Sequence, residues 1–229
     1  MLFKVVAILI VELFVLYLFP SSLPLGRDLK PESMEKEVNA HLPARVPYIF
    51  PAPGTNQIAD SIRARRTNGT LLDLDGVLLN AEEIAGAWNS IGIALRNNNS
   101  LPGDMRELLI LRCGVLNGAA YEWIQHEPVG RAAGLTTQQL LEIRQTPPLG
   151  PLPEDTTLTP VLSAALLYAD YMTKEIKVPD DVFDGLKRYL NDRQVVEATV
   201  TVAGYNMVSR VLVALNVDGK MDTLVPVPS

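Results

Sequence analysis

Hydrophobic side chains recur at helical spacing through most of the chain beyond residue 55. Ile84, Ala87, Trp88, Ile91 and Leu95 lie three or four apart, the interval at which one helix face repeats. Asn80 followed by Glu83 has the chemistry of a helix start, so a helix is expected behind Asn80. "NNNSLPGD" breaks it. Asp104 with Glu107 forms a second cap pattern, opening a run of Leu108, Leu109, Ile110, Leu111, Val115 and Leu116. Apolar residues cover most of that circumference, which predicts a buried helix. Gly114, Asn117 and Gly118 loosen its end.

The next helix carries "AAYEWIQHEPVGRAA" and stops at Gly134, a C′ residue. Pro128 inside it is expected to kink or shorten it. Thr136 with Gln139 caps "QQLLEIR". A Pro-rich connection, Gln145 to Thr159, follows. Pro160 suits the first position of another helix, and Asn191 caps the last segment. "VVEATVTV" within that segment has strand propensity. The long apolar run without turn residues favours helix. The reading is all-α, six to eight helices in one domain, residues 56–220.

The N-terminus differs in character. Lys4 precedes an apolar run from Val5 to Phe19, interrupted by Glu12 and stopped by Pro20. The run is short for a membrane span and suits a signal-peptide core. Residues 1–20 are therefore read as a signal peptide or membrane anchor, which implies the secretory pathway or membrane association. The competing reading is an amphipathic or buried leader helix, with a cytoplasmic protein. Residues 21–55, rich in Pro and charge, read as a linker or wrapped extended arm. His41 lies in this arm and receives no role. Two sequons, Asn68-Gly69-Thr70 and Asn98-Asn99-Ser100, are compatible with the secretory route.

Composition removes some classes. Hydrophobic residues make up 48% and charged residues 20% of 229, as in a globular chain. The formal net charge of −6 and the lack of a basic stripe argue against nucleic acid as a partner. Cys113, the one cysteine, permits no internal disulfide and no zinc cluster.

Candidate chemistry concentrates between Arg106 and Gly134. Glu122 and His126 are four apart, on one helical face. A carboxylate beside an imidazole orients it, and such a pair can move a proton near neutral pH. Tyr121 and Trp123 flank them as candidate walls of an apolar pocket. Glu107 lies fifteen residues before Glu122, across a glycine-containing break, and two packed helices would bring it to the same spot. The plainer reading makes Glu107 the cap partner of Asp104, Glu122 and His126 a surface pair, and both aromatics core.

Arg106-Glu107-Leu108, Tyr121-Glu122-Trp123, His126, and "AAGL" leading through a polar cap into "QQLLEIR" resemble the carboxymuconolactone decarboxylase family. This family shares the fold of the alkylhydroperoxidase D proteins. "YNMVSRVLVAL" resembles its closing helix, and the likeness spans residues 60–216. Fungal members with an N-terminal extension are the most similar. The resemblance implies an alkylhydroperoxidase D-like helical fold and a homo-oligomer, trimer or hexamer. Its thiol peroxidase branch uses a glutamate, a Cys-x-x-Cys pair and a histidine. The glutamate falls at Glu107 and the histidine at His126, but the cysteine positions hold Ala119 and Glu122. The decarboxylase branch needs no thiol, metal or other cofactor. The expected protein is a cofactor-free lyase acting on a small oxygenated carboxylic acid or lactone in a secondary-metabolite pathway. Its expected catalytic residues are His126, Glu122 and Glu107, with Glu122 orienting His126. Arg106 or Arg210 would anchor the acidic substrate, with Asn206 on the same helix face as Arg210. Alternatives are an isomerase, dehydratase or cyclase using the same pair, or a catalytically silent membrane-associated partner protein.

Overall fold

The computed structural model describes residues 44–66 and 68–229. The leader read at residues 1–20, the larger part of the arm and His41 lie outside the described residues. Among the described residues there are nine α-helices: α1 (Gln57–Arg65), α2 (Asp73–Leu78), α3 (Glu82–Arg96), α4 (Gly103–Leu116), α5 (Ala120–Ala132), α6 (Thr137–Gln145), α7 (Pro160–Lys174), α8 (Asp180–Lys187) and α9 (Asp192–Ala214). The all-α expectation holds. Two short helices, α1 and α2, exceed the expected set, because neither carries a run long enough to show a period. No helix among the described residues is long and apolar enough to cross a membrane.

Several boundaries follow from local chemistry. The Thr136 side chain accepts from Gln139 N and the Asn191 side chain from Gln194 N, starting α6 and α9. Thr159 caps α7 with Pro160 at its first position. The ambiguous "VVEATVTV" lies within the 23-residue helix α9, where Ala198 and Val202 reach the core.

Other expectations are corrected by tertiary contacts. Asn80 does not cap α3; it donates to Pro47 O at 2.8 Å and Val77 O at 3.0 Å. Asp104 is not the cap of α4, which starts at Gly103 behind Pro102. Pro128 does not shorten α5, which continues to Ala132. Gly134 (φ +109°) ends that helix: Gly134 N donates to Arg131 O and Leu135 N to Gly130 O, each at 3.0 Å. These are the two bonds of a Schellman motif. The apolar stripe on α3 is split: Trp88 and Leu95 are buried, whereas Ile84 and Ile91 are exposed.

Helix α4 is the centre, packed against α5, α6, α7 and α9. Its residues from Leu108 to Leu111 have no exposed surface, as its all-round apolar pattern predicts. Arg112 lies in the same stretch, and its guanidinium meets Asp170 of α7 in a fully buried pair. A second apolar cluster joins Trp88, Tyr121, Val208 and Leu212 to Ala44 and Val77. Residues 44–50 run along this second cluster. Arg45 N donates to Leu215 O at 2.7 Å and Ile49 N to Gly76 O at 2.9 Å. This part of the arm is therefore packed on the helical domain.

Candidate functional site

Helices α4 and α5 form a tight hairpin. Gly118 (φ +65°) makes the turn, a conformation costly for residues with a Cβ. Two contacts fix the register. Glu107 meets His126, and Gly114 meets Glu122. The pairing order reverses along the chain, so the helices are antiparallel. A Cβ at Gly114 would lie 3.3 Å from Glu122 Oε1, so the glycine makes room for the carboxyl.

Glu107 is buried, and its Oε2 lies 2.8 Å from His126 Nδ1. Its Oε1 accepts from Arg106 Nε at 3.2 Å. The His126 ring stands edge-on to Tyr205 of α9, with centroids 5.0 Å apart at 88°. Tyr205 makes a similar contact with Trp88, at 6.3 Å and 81°. A carboxylate on one nitrogen and an aromatic ring alongside fix the imidazole's orientation. Nε2 remains for chemistry.

Glu122 occupies a different position from the one its spacing implied. It shares a wall with His126, but Glu107 holds Nδ1, so Glu122 is not the orienting carboxylate. The packing of α4 against α5 overrides the intrahelical spacing. Glu122 is buried, and neither oxygen has a hydrogen-bond partner among the described residues. Burial pushes its carboxyl well above the usual carboxylate range. An uncompensated carboxylate is costly there, and holding a proton removes that cost.

His126, Glu122 and Tyr121 line a cavity of about 50 Å³ together with Trp88, Tyr205 and Asp75. Three arginines also reach it: Arg65 at the end of α1, Arg66 beside it and Arg96 at the end of α3. These cations were missed in the sequence, as was Tyr205. "RARR" at residues 63–66 marks a basic cluster, but its destination depends on how α1 packs against α3.

The remaining expected substrate-binding residues lie elsewhere. Trp123 is 1% exposed and belongs to the main core rather than the cavity wall. It is two residues from Tyr121, about 200° around a helix. Arg106 is engaged with Glu107 behind the histidine. On α9, Tyr205, Val208 and Leu212 face the cavity. Asn206 and Arg210 are each one or two steps of about 100° away from that face. Asn206 Nδ2 donates to Thr173 Oγ1 at 2.9 Å and Val202 O at 3.0 Å. Its Oδ1 accepts from Asn117 at 3.1 Å and from exposed Arg210 at 2.7 Å. This network ties helices together rather than lining the cavity.

The comparisons agree with this architecture. The chain is similar to the crystal structure of a protein of unknown function from Agrobacterium tumefaciens, named there in connection with the antioxidant defence protein AhpD. Identity is 23%, covering 66% of this chain and 96% of that one, with a TM-score of 0.55. That likeness defines the class: an AhpD-like helical fold. Residues 82–146 match the Carboxymuconolactone decarboxylase family. Glu107, Glu122, His126 and Arg96 lie inside the matched segment; Arg65, Arg66 and Tyr205 lie outside it. No curated protein matches the chain.

Proposed function

We propose that the chain is a cofactor-free decarboxylase acting on a small oxygenated carboxylic acid or lactone. The match of residues 82–146 to the family, with the AhpD-like fold, supports a decarboxylase or peroxidase-like function. The observation that carries the finer choice is the pairing of a carboxylate-held imidazole with a separate, proton-holding carboxyl on one cavity wall. The C–C bond to the departing carboxylate breaks heterolytically. Its electron pair enters the adjoining conjugated carbonyl as an enolate, and CO₂ leaves. Protonated His126 returns a proton to carbon through Nε2, with Glu107 holding the ring throughout. Glu122, still carrying its proton, donates a hydrogen bond to the enolate oxygen, where charge develops. Solvent then restores the proton on His126.

Thiol chemistry fits these residues less well. By the sequence resemblance, the two cysteine positions of the thiol peroxidase branch fall at Ala119 and Glu122. Cys113 is fully buried, and burial pushes its thiol far above the ordinary range. A thiol held this way is a poor nucleophile.

The test is a panel of small oxygenated acids and lactones incubated with the purified chain. CO₂ release coupled to substrate loss is the expected result. Substrate conversion without CO₂ would replace decarboxylation by an isomerase, dehydratase or cyclase reaction. No turnover across the panel would favour a silent partner protein.

A further inference from the structure

The cavity wall carries more positive charge than its own residues neutralise. Arg66 is paired with Asp75, and Asp75 Oδ2 also accepts from Leu72 N at 2.7 Å. Arg65 directs Nε to Asn89 Oδ1 at 2.8 Å, and its two terminal nitrogens carry no hydrogen bond among the described residues. Arg96 folds back along its own helix, donating Nε to Gly92 O at 3.2 Å. Its Nη2 is buried without a partner among the described residues, as is Arg66 Nε. Three guanidiniums therefore share one carboxylate partner, that of Asp75, because neither Glu122 oxygen bonds any of them. Buried donors left unpaired are costly, and arginines cannot relieve that cost by shedding a proton at neutral pH. Burial first, and the neighbouring Arg96 and Arg66 charges next, lower the Arg65 pKa to about 10.

We propose that Arg65, Arg66 and Arg96 form an anion-binding subsite that anchors a carboxylate or comparable oxyanion of the substrate other than the group that leaves. This rests on the decarboxylase reading for the second half of the statement only. Guanidiniums clamped on the departing carboxylate would stabilise the ground state and lose that contact as neutral CO₂ forms, which slows the reaction. On a non-departing anion they orient the substrate and remain engaged throughout. Two of the three arginines lie outside the family segment, so the subsite belongs to the way α1 packs on this chain.

Gly92 gives an independent handle. A Cβ there would sit 2.4 Å from Arg96 Nη2. Gly92→Ala favours the helix intrinsically yet must displace the guanidinium.

Binding is measured by calorimetry on the full chain with malonate, without turnover, and circular dichroism monitors folding. Malonate should bind saturably and more weakly as salt rises, whereas uncharged malonamide should not bind. Arg65→Gln, Arg96→Gln and Gly92→Ala should each weaken malonate by about tenfold or more. Arg210→Gln, an exposed control, should leave it unchanged. Absence of saturable malonate binding, or equal binding by the folded Arg65→Gln, Arg96→Gln and Gly92→Ala variants, would overturn the subsite. Malonate binding lost in those variants while the acid panel releases no CO₂ would uphold the subsite and remove the decarboxylase reading alone.

Discussion

Two regions bury charge, and they treat it in opposite ways. Between α4 and α7, Arg112 and Asp170 are fully buried and almost fully paired. Arg112 Nε and Nη2 reach the two Asp170 oxygens at 2.5 and 2.9 Å, and Nη1 donates to Ile143 O at 2.7 Å. Leu149 N completes Asp170 at 2.9 Å. The polar groups there hold α4, α6, α7 and the α6–α7 loop in register. Around the cavity, Glu122, Arg66 and Arg96 retain buried polar atoms without partners among the described residues. Native interiors rarely leave such groups unpaired unless the site has work to do. Matched charge marks the scaffold, and mismatched charge marks the site.

The largest effect should come from breaking the matched region. Asp170→Ala leaves Arg112 uncompensated in the core and should cost about 3–5 kcal/mol, read by urea denaturation. A cost below about 1 kcal/mol would mean that water reaches Arg112, and the contrast between the regions would fail.

The next effect separates chemistry from stability. His126→Ala should lower turnover by about two to four orders of magnitude. The fold should survive, because His126 sits at the cavity edge rather than at the centre of α4. Unchanged turnover in this variant would remove His126 from the mechanism and leave Glu107 a structural acid.

The contrast also explains what the sequence could convey. The caps at Thr136 and Asn191 and the start at Pro160 are local, and each was legible. The all-round apolar pattern of α4 identified the central helix. Glu107 was placed in the candidate set, but its local neighbourhood also matched a helix cap; only the α4–α5 register shows it against His126. Glu122 was legible as a site residue and illegible in its role, because spacing cannot say which carboxylate wins an imidazole. Tyr121 and Trp123 looked equivalent, yet a rotation of about 200° sends one to the cavity and the other to the core. The arginines were hidden because their convergence needs α1, α2 and α3 to pack together.

A smaller effect should appear in the pH dependence of stability. Glu122 has its carboxyl raised by burial in the folded chain. Between the ordinary carboxylate range and that raised value, the folded state keeps a proton that the unfolded state has released. The contribution of Glu122 to stability is thus fully present below the ordinary range and is lost as pH rises toward the folded value. The slope from one such proton is at most about 1.4 kcal/mol per pH unit. Glu122→Gln removes it. The Tm of the variant minus that of the parent should grow from about pH 5 to about pH 8. A constant difference would show that Glu122 is ionised in the fold, and would withdraw it as the donor to the enolate.

The smallest effect is expected at Cys113. It resembles the matched region in being fully buried, and it lies on α4 beside the polar network of α9. Its Sγ is 3.8 Å from Thr173 Oγ1 and 3.7 Å from Val202 O, with Asn206 Nδ2 at 3.5 Å. These contacts describe a small packed side chain with weak polar neighbours. The chain has no second cysteine to resolve a sulfur intermediate. Burial raises the thiol and so opposes a thiolate. Cys113→Ala should therefore keep turnover within about twofold and cost about 1–2 kcal/mol from the space left behind. Thermal unfolding and steady-state kinetics on the same preparation separate the two quantities. Loss of turnover in a variant with near-parental Tm would place the sulfur in the reaction, and the mismatched cavity would no longer account for the chemistry alone.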